Sequence, residues 1–155
     1  MTFSKNSQQI ELRGKLDSLN AQIILFQVNS SSQEYISELE EVRLTVNRLQ
    51  RCEACNRVFD GEMRLWGLDF DELHRRSHNP VKGHILPHYE MGREACELNL
   101  LRTLVRETEL CAVRAFGDDD GLRIGHVLNR LSSALYVLMY KYLPENYNRV
   151  MRFGL

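Results

Sequence analysis

The chain has 155 residues, a formal net charge of −1, 43% hydrophobic residues and 26% charged residues. That length can bury a core in one domain without a metal or disulfide framework. The balanced charge excludes a general nucleic-acid binder, which carries a basic surplus, and no apolar run approaches the ~20 residues of a membrane span.

The opening stretch, MTFSKNSQQIELRGK, has no apolar core behind a basic start, so no secretory signal is expected. Cys52, Cys55, Cys96 and Cys111 are irregularly spaced and read as reduced thiols of a cytoplasmic protein. From about Gln8 to Val28, Ile10, Leu12, Leu16, Leu19, Ile23 and Phe26 recur at helical spacing. NSSSQ at 29–33 breaks the pattern, and Ser31 with Glu34 predicts a capping box for a second helix. Its expected stripe is Ile36, Leu39, Val42, Val46 and Leu49, fading near Asn56 or Phe59. Asp69 with Glu72 predicts the start of a short helix through about Ser77, which Pro80 stops. HNPVKGHILPHY reads as an ordered loop. A long helix is predicted from about Glu90 to Phe116, with Leu101, Leu104, Thr108, Cys111 and Ala115 on one side. GDDDG ends it. The last helix, about Leu122 to Leu143, repeats Val127, Leu131, Leu135, Leu138 and Tyr142. No stretch alternates with period two. The expectation is an all-α, antiparallel five-helix bundle of four long helices and one short. It forms a single domain over 1–155, with about 1–8 and 145–155 as flexible tails.

Two features suggest chemistry. Cys52 and Cys55 are spaced C-x-x-C, and His74 and His78 follow as H-x-x-x-H, a ligand set that suits tetrahedral zinc. The 18 residues between Cys55 and His74 exceed the ~12 of a common two-Cys, two-His finger, and the cysteines fall at a helix end instead of a hairpin. Buried thiols and hydrogen-bonded helix-end histidines are the plainer reading, so no metal site is assigned and these four stay weak candidates.

The second feature is ELNLLRTLVRETEL, 97–110. Arg102, Arg106 and Glu109 fall at i, i+4 and i+7 and project from one helical face. By spacing alone they read as a solvated salt-bridge face, although a base N-terminal to an acid is the poorer stabilising order.

Arg102-Thr103-x-x-Arg106-x-x-Glu109, followed some twenty residues later by Asn129-Arg130-Leu131-Ser132, resembles the ATP:cob(I)alamin adenosyltransferases of the propanediol-utilisation type. LDSLN at 16–20 and HILP at 84–87 match that family's L-D-E-L-N and F-I-L-P segments in the same order. GLDFDELHRRSHNP (67–80) and GREACELNLLRTLVRETEL (92–110) are closer to the ethanolamine-utilisation branch, as is His84 in the phenylalanine position. The likeness covers nearly the whole chain from about residue 10. It gives Cys52 and Cys55 no role, because the branch's cysteine-rich metal segment precedes its first helix.

The resemblance implies transfer of the 5′-deoxyadenosyl group of ATP to the Co(I) of cobalamin. That reaction gives adenosylcobalamin for ethanolamine utilisation and releases triphosphate. Co(I) is the nucleophile, so the protein's share is positioning and electrostatics. Arg102, Arg106 and Arg130 are implied to cradle the triphosphate with Mg²⁺. Glu109 is implied to orient Arg106, the nucleotide or the metal ion, and Asn129 to bind the nucleotide. Asp17 is implied to pair with Arg102 across the interface of a homotrimer that builds its sites between subunits. His84, Ile85 and Leu86 are implied to face cobalamin, with the imidazole replacing an apolar wedge. A cytoplasmic setting associated with a bacterial microcompartment is implied too.

The family's glycine-rich T-x-T-G-D-x-G segment, which wraps the ATP phosphates, has no counterpart in these residues. Glu107 and Ser133 stand where the helix motifs carry an arginine and an aspartate. These departures keep an alternative in view: a non-catalytic cobalamin-binding or scaffolding protein of this fold.

Overall fold

The computed structural model describes residues 2–80, 83–117 and 120–151. Five helices carry the architecture: α1 (Thr2–Val28), α2 (Gln33–Cys55), α3 (Phe70–His78), α4 (Arg93–Phe116) and α5 (Ile124–Tyr142). A 3₁₀ turn, Tyr89–Met91, precedes α4. Helix α4 packs against α5 and α1, α1 against α2, and α3 against α5. No helix among the described residues is long and apolar enough to cross a membrane.

The core follows the helical periodicity. Leu12, Leu16, Leu19 and Ile23 of α1 meet Leu39, Val42, Val46 and Leu49 of α2 in one buried cluster. Leu98, Leu101 and Val105 of α4 and Val127, Leu128, Leu131 and Leu135 of α5 complete it. Ile10, expected on the core stripe, is 66% exposed, because it stands two residues before Leu12, roughly 200° round the helix and so on the opposite face. Ile36 and Tyr142 are only partly buried; Tyr35 takes the core position beside Ile36.

Helix ends depend on side chains aimed at unpaired backbone groups. Ser32, not Ser31, caps α2, its Oγ accepting the Tyr35 N–H at 3.3 Å. Asp69 caps α3 as expected, accepting the Glu72 N–H at 2.8 Å. The aspartate run before α5 contributes Asp120, whose carboxylate accepts the N–H groups of Ile124 at 3.1 Å and His126 at 3.3 Å, and that of Gly125. This carboxylate holds the start of the site-bearing helix, where the macrodipole favours an anion.

Two short ribbons escape the periodicity reading, because two-residue strands show no alternation. β1 (Arg64–Leu65) pairs antiparallel with β2 (Leu68–Asp69) across Trp66-Gly67, both at positive φ. A two-residue hairpin loop needs that backbone. Trp66 is held there by its N–H to Glu41 at 3.0 Å and its indole Nε1–H to the Glu38 carbonyl at 3.1 Å. β3 (His84–Ile85) pairs antiparallel with β4 (Val150–Met151). The expected flexible tail is therefore docked over this part: Leu86 N–H donates to the Arg149 carbonyl at 2.8 Å, and the Tyr147 hydroxyl donates to the Leu86 carbonyl. At the other end the backbone is helical from Thr2, not from Gln8. Residues 152–155 lie outside the described residues.

The contrast between Leu131, fully buried, and Ile10, 66% exposed, gives a direct check on the core. In urea unfolding, Leu131→Ala should cost about 2–5 kcal/mol, whereas Ile10→Ala should stay within about 0.5 kcal/mol of wild type.

Candidate functional site

Three helical faces converge on a cavity of about 420 Å³. From α4 come Arg102, Arg106 and Glu109, at i, i+4 and i+7. Helix α5 brings Asn129, Ser132, Ser133 and Tyr136, at i, i+3, i+4 and i+7. His74, Ser77 and His78 of α3 close the third side. In each helix the apolar stripe faces the core and turns this polar stripe toward its neighbours.

Asn129 joins the walls. Its Nδ2–H donates to Glu109 Oε2 at 3.1 Å, and its Oδ1 accepts from an Arg130 guanidinium nitrogen at 2.9 Å. A carboxylate only accepts and a guanidinium only donates, so the orientation of the amide is unambiguous. The Ser132 hydroxyl donates to the Asn129 carbonyl at 2.9 Å.

Arg102 is the exceptional charge. One terminal nitrogen donates to Asn99 Oδ1 at 2.9 Å, and its guanidinium carbon lies 5.7 Å from the Tyr136 ring centroid. Its buried Nε has no hydrogen-bond partner. Burial, and then the charge on Arg106, lower its pKa from the usual guanidinium value. Among the described residues neither Arg102 nor Arg106 forms an ion pair with a carboxylate. The solvated salt-bridge reading is therefore corrected: Glu109 turns to Asn129 of α5, leaving the two arginines uncompensated. Two positive charges against one carboxylate make the cavity a site for anions.

The α3 wall is a pair of histidines and a serine. His74 Nδ1 lies 3.0 Å from Ser133 Oγ, and His78 Nδ1 lies 3.0 Å from the His74 carbonyl. The two rings pack with centroids 4.3 Å apart. Burial, the Arg130 charge and His78 together lower the His74 pKa below its ordinary 6.5.

The other expected site residues are placed as follows. Arg130 does not line the cavity; its Nε sits 3.5 Å from Asp71 Oδ1, too poorly aligned for a hydrogen bond, so it acts through Asn129. Asp17 lies on the exposed face of α1, away from the cavity lining. Ile85 is buried, Leu86 is 43% exposed and His84 lies 6.4 Å from Tyr136 by ring centroids. The Ile85 N–H donates to the Tyr136 hydroxyl at 2.8 Å, and the Tyr140 hydroxyl donates to the Gly83 carbonyl. The loop at 83–86 is thus hung from α5, next to the cavity. Glu107 reaches Lys15 of α1 at 3.6 Å. Cys52, buried, and Cys55, exposed, end α2 as free thiols. Among the described residues no three His, Cys, Asp or Glu side chains gather to hold a metal, so the zinc candidates are not brought together.

Sequence reasoning missed Ser77, Ser132, Ser133 and Tyr136. The i, i+3, i+4, i+7 spacing of residues 129, 132, 133 and 136 was the available signal.

The family model for cobalamin adenosyltransferase matches residues 1–142. The chain belongs to the cobalamin adenosyltransferase family. Two curated relatives, both named corrinoid adenosyltransferase EutT, come from Salmonella typhimurium and Escherichia coli. Each is 35% identical to this chain over 144 residues, covering 88% of this chain and 53% of the relative. The chain thus spans about half the length of the curated relatives it matches. In this chain Arg102, Arg106 and Glu109 of the R-T-x-x-R-x-x-E stretch and Asn129 and Ser132 of N-R-L-S stand on two cavity walls joined by the Asn129–Glu109 hydrogen bond.

The depressed His74 pKa has a definite consequence for stability. The unfolded chain takes up this proton more readily than the folded chain, so stability falls as pH drops through about 6.5 toward the lower folded value. His126, also lowered by burial, acts in the same sense. Proton NMR should show a His74 midpoint below 6.5. His74→Asn should flatten the loss of unfolding free energy between about pH 7 and about pH 5.

Proposed function

We propose that this chain is the helical core of an ATP:cob(I)alamin adenosyltransferase of the ethanolamine type. The observation that carries the reading is the half-buried, carboxylate-free Arg102 beside Arg106, on a cavity whose Tyr136 edge adjoins the 83–86 loop. A guanidinium with one buried, unsatisfied nitrogen costs stability unless a ligand completes it. A polyphosphate supplies the acceptors.

In the proposed reaction the Co(I) lone pair attacks C5′ of ATP and the C5′–O5′ bond breaks. The bonding pair leaves on the triphosphate oxygen. Arg102 and Arg106 offset the charge that develops there, fixed in advance by the walls of the cavity. Tyr136 packs beneath the Arg102 guanidinium and limits its motion. Among the described residues Glu109 is the one carboxylate on the cavity. A single carboxylate plus substrate phosphates is a usual donor set for Mg²⁺, so the residues fit Mg²⁺ arriving on the nucleotide. Asn129 holds Glu109 and carries the restraint from Arg130.

The His84–Leu86 segment is the proposed cobalamin-facing loop. Its backbone is fixed by Tyr136, Tyr140, Tyr147 and the β4 strand. Asp17, exposed on α1, is the proposed partner of Arg102 across the interface of a homotrimer. That arrangement would give Arg102 the acid it lacks within one chain. Ethanolamine utilisation, in the cytoplasm and beside a microcompartment, is the proposed setting. The second reading, a cobalamin-binding scaffold without catalysis, gains from Glu107, which places an acid on α4 beside Arg106.

Incubation with ATP, Mg²⁺ and chemically reduced cobalamin should produce the absorbance change of cobalt–carbon bond formation. Arg102→Ala and Arg106→Ala should each lower kcat/KM by about 10²-fold or more while keeping the helical circular-dichroism spectrum. Cobalamin binding without turnover in the wild type would establish the scaffold reading instead. His84→Phe should alter the cobalamin absorption spectrum if the imidazole faces the cobalt, and an unchanged spectrum and rate would remove any special role for it.

A further inference from the structure

The α3 wall of the cavity is not explained by the arginines opposite. The His78 Nδ1 faces the His74 carbonyl, which can only accept, so Nδ1 carries the proton of the neutral ring. The Ser133 hydroxyl lies 3.4 Å from the Asn129 carbonyl and 3.0 Å from His74 Nδ1; when it donates to the carbonyl it receives the His74 Nδ1–H. In that arrangement both rings carry their proton on Nδ1, and Nε2 is the basic nitrogen of each. Among the described residues neither Nε2 has a hydrogen-bond partner. Both histidines line the same cavity as Arg102 and Arg106.

We propose that His74 and His78 form a second, proton-gated wall that grips a linear polyphosphate by taking up protons at Nε2 as the anion binds. The inference rests on the nucleotide reading of the cavity and adds to it the α3 subsite and its pH dependence.

Charge decides the behaviour. His74 is faced from α5 by Arg130 and His126 and from its own helix by His78 and Asp71. Across the cavity stand Arg102, Arg106 and Glu109 of α4. Burial and the Arg130 charge disfavour a proton on His74, and across the cavity Arg102 and Arg106 less Glu109 leave one net positive charge. A triphosphate reverses that field. It satisfies the arginines and offers phosphate oxygens as acceptors to Nε2–H, and two protonated rings raise the cavity from one net positive charge to three. The protons come from solvent, so binding the anion consumes protons. Release of triphosphate is correspondingly easier at higher pH. A neutral residue at 133, in place of the aspartate in the family's motif, leaves the histidine pair free to be charged by the anion instead of by a fixed neighbour.

Inorganic triphosphate is the probe, with calorimetry on the intact chain at about pH 6 and about pH 8, either side of the ordinary imidazole value. The double variant His74→Gln/His78→Gln is compared at each pH, which cancels the ligand's own titration. Wild type should bind about 10-fold more tightly than the variant at the lower pH, the equivalent of one pKa unit, and no more tightly at the higher. In two buffers of different ionisation enthalpy, the wild type should show proton uptake on binding. NMR of the wild type alone should show the His74 midpoint rising when triphosphate is added, a readout that does not depend on the variant folding. Equal affinities at the lower pH with an unmoved midpoint would overturn the inference and leave the nucleotide reading standing. Absence of triphosphate binding by the wild type at both pH values would overturn the two together.

Discussion

The register of α5 against α4 is set where the Asn129 amide meets Glu109, and everything chemical in the molecule depends on it. Twenty residues separate the two in sequence, and a single side-chain hydrogen bond of 3.1 Å ties them across the helix interface. Buried leucines, Leu128, Leu131 and Leu135 on α5 with Leu98 and Leu101 on α4, press the helices together. Apolar packing is non-directional and tolerates exchange of similar shapes. The amide is directional: donor toward Glu109, acceptor toward Arg130. A one-residue slip would rotate Asn129 by roughly 100° and break its bond to Glu109.

That constraint explains why the charges are left unbalanced. On an ordinary surface helix Arg102, Arg106 and Glu109 would neutralise one another for a few tenths of a kcal/mol. Here the acid is drawn away by α5, and half-buried Arg102 lies over Tyr136 with its Nε buried and unsatisfied. Local arrangements that cost stability are expected where a ligand completes them. The cation-rich α4 wall, the α3 histidines and the polar α5 face make a cavity that is incomplete in the protein alone.

The loop that adjoins it is held differently. Residues 83–86 contain only the two-residue strand β3. Their backbone groups are satisfied by Tyr136 and Tyr140, one helical turn apart on α5, by Tyr147 and by the β4 strand. Tyr136 contributes to both regions, its ring to the cavity and its hydroxyl to the loop. Displacement of α5 would disturb both at once.

The sequence by itself determined the five helices, most of their buried stripes and the Asp69 cap, because the 3.6-residue period and capping chemistry are local. It also marked Arg102, Arg106, Glu109 and Asn129, whose motifs lie within single helices, and through them the family. It misread Ile10, an apolar residue two positions before Leu12 that the helical period puts on the opposite, exposed face. The two-residue strands and the docking of 145–151 were hidden, because pairing of that length leaves no periodic trace. The structure alone decided that Glu109 answers to Asn129 and not to the arginines, that Arg130 turns to Asp71, and that His74 and His78 face the cavity while Cys52 and Cys55 lie apart from it. Those outcomes depend on how three helices are rotated about their axes when packed, and only contacts between residues far apart in the chain set that rotation.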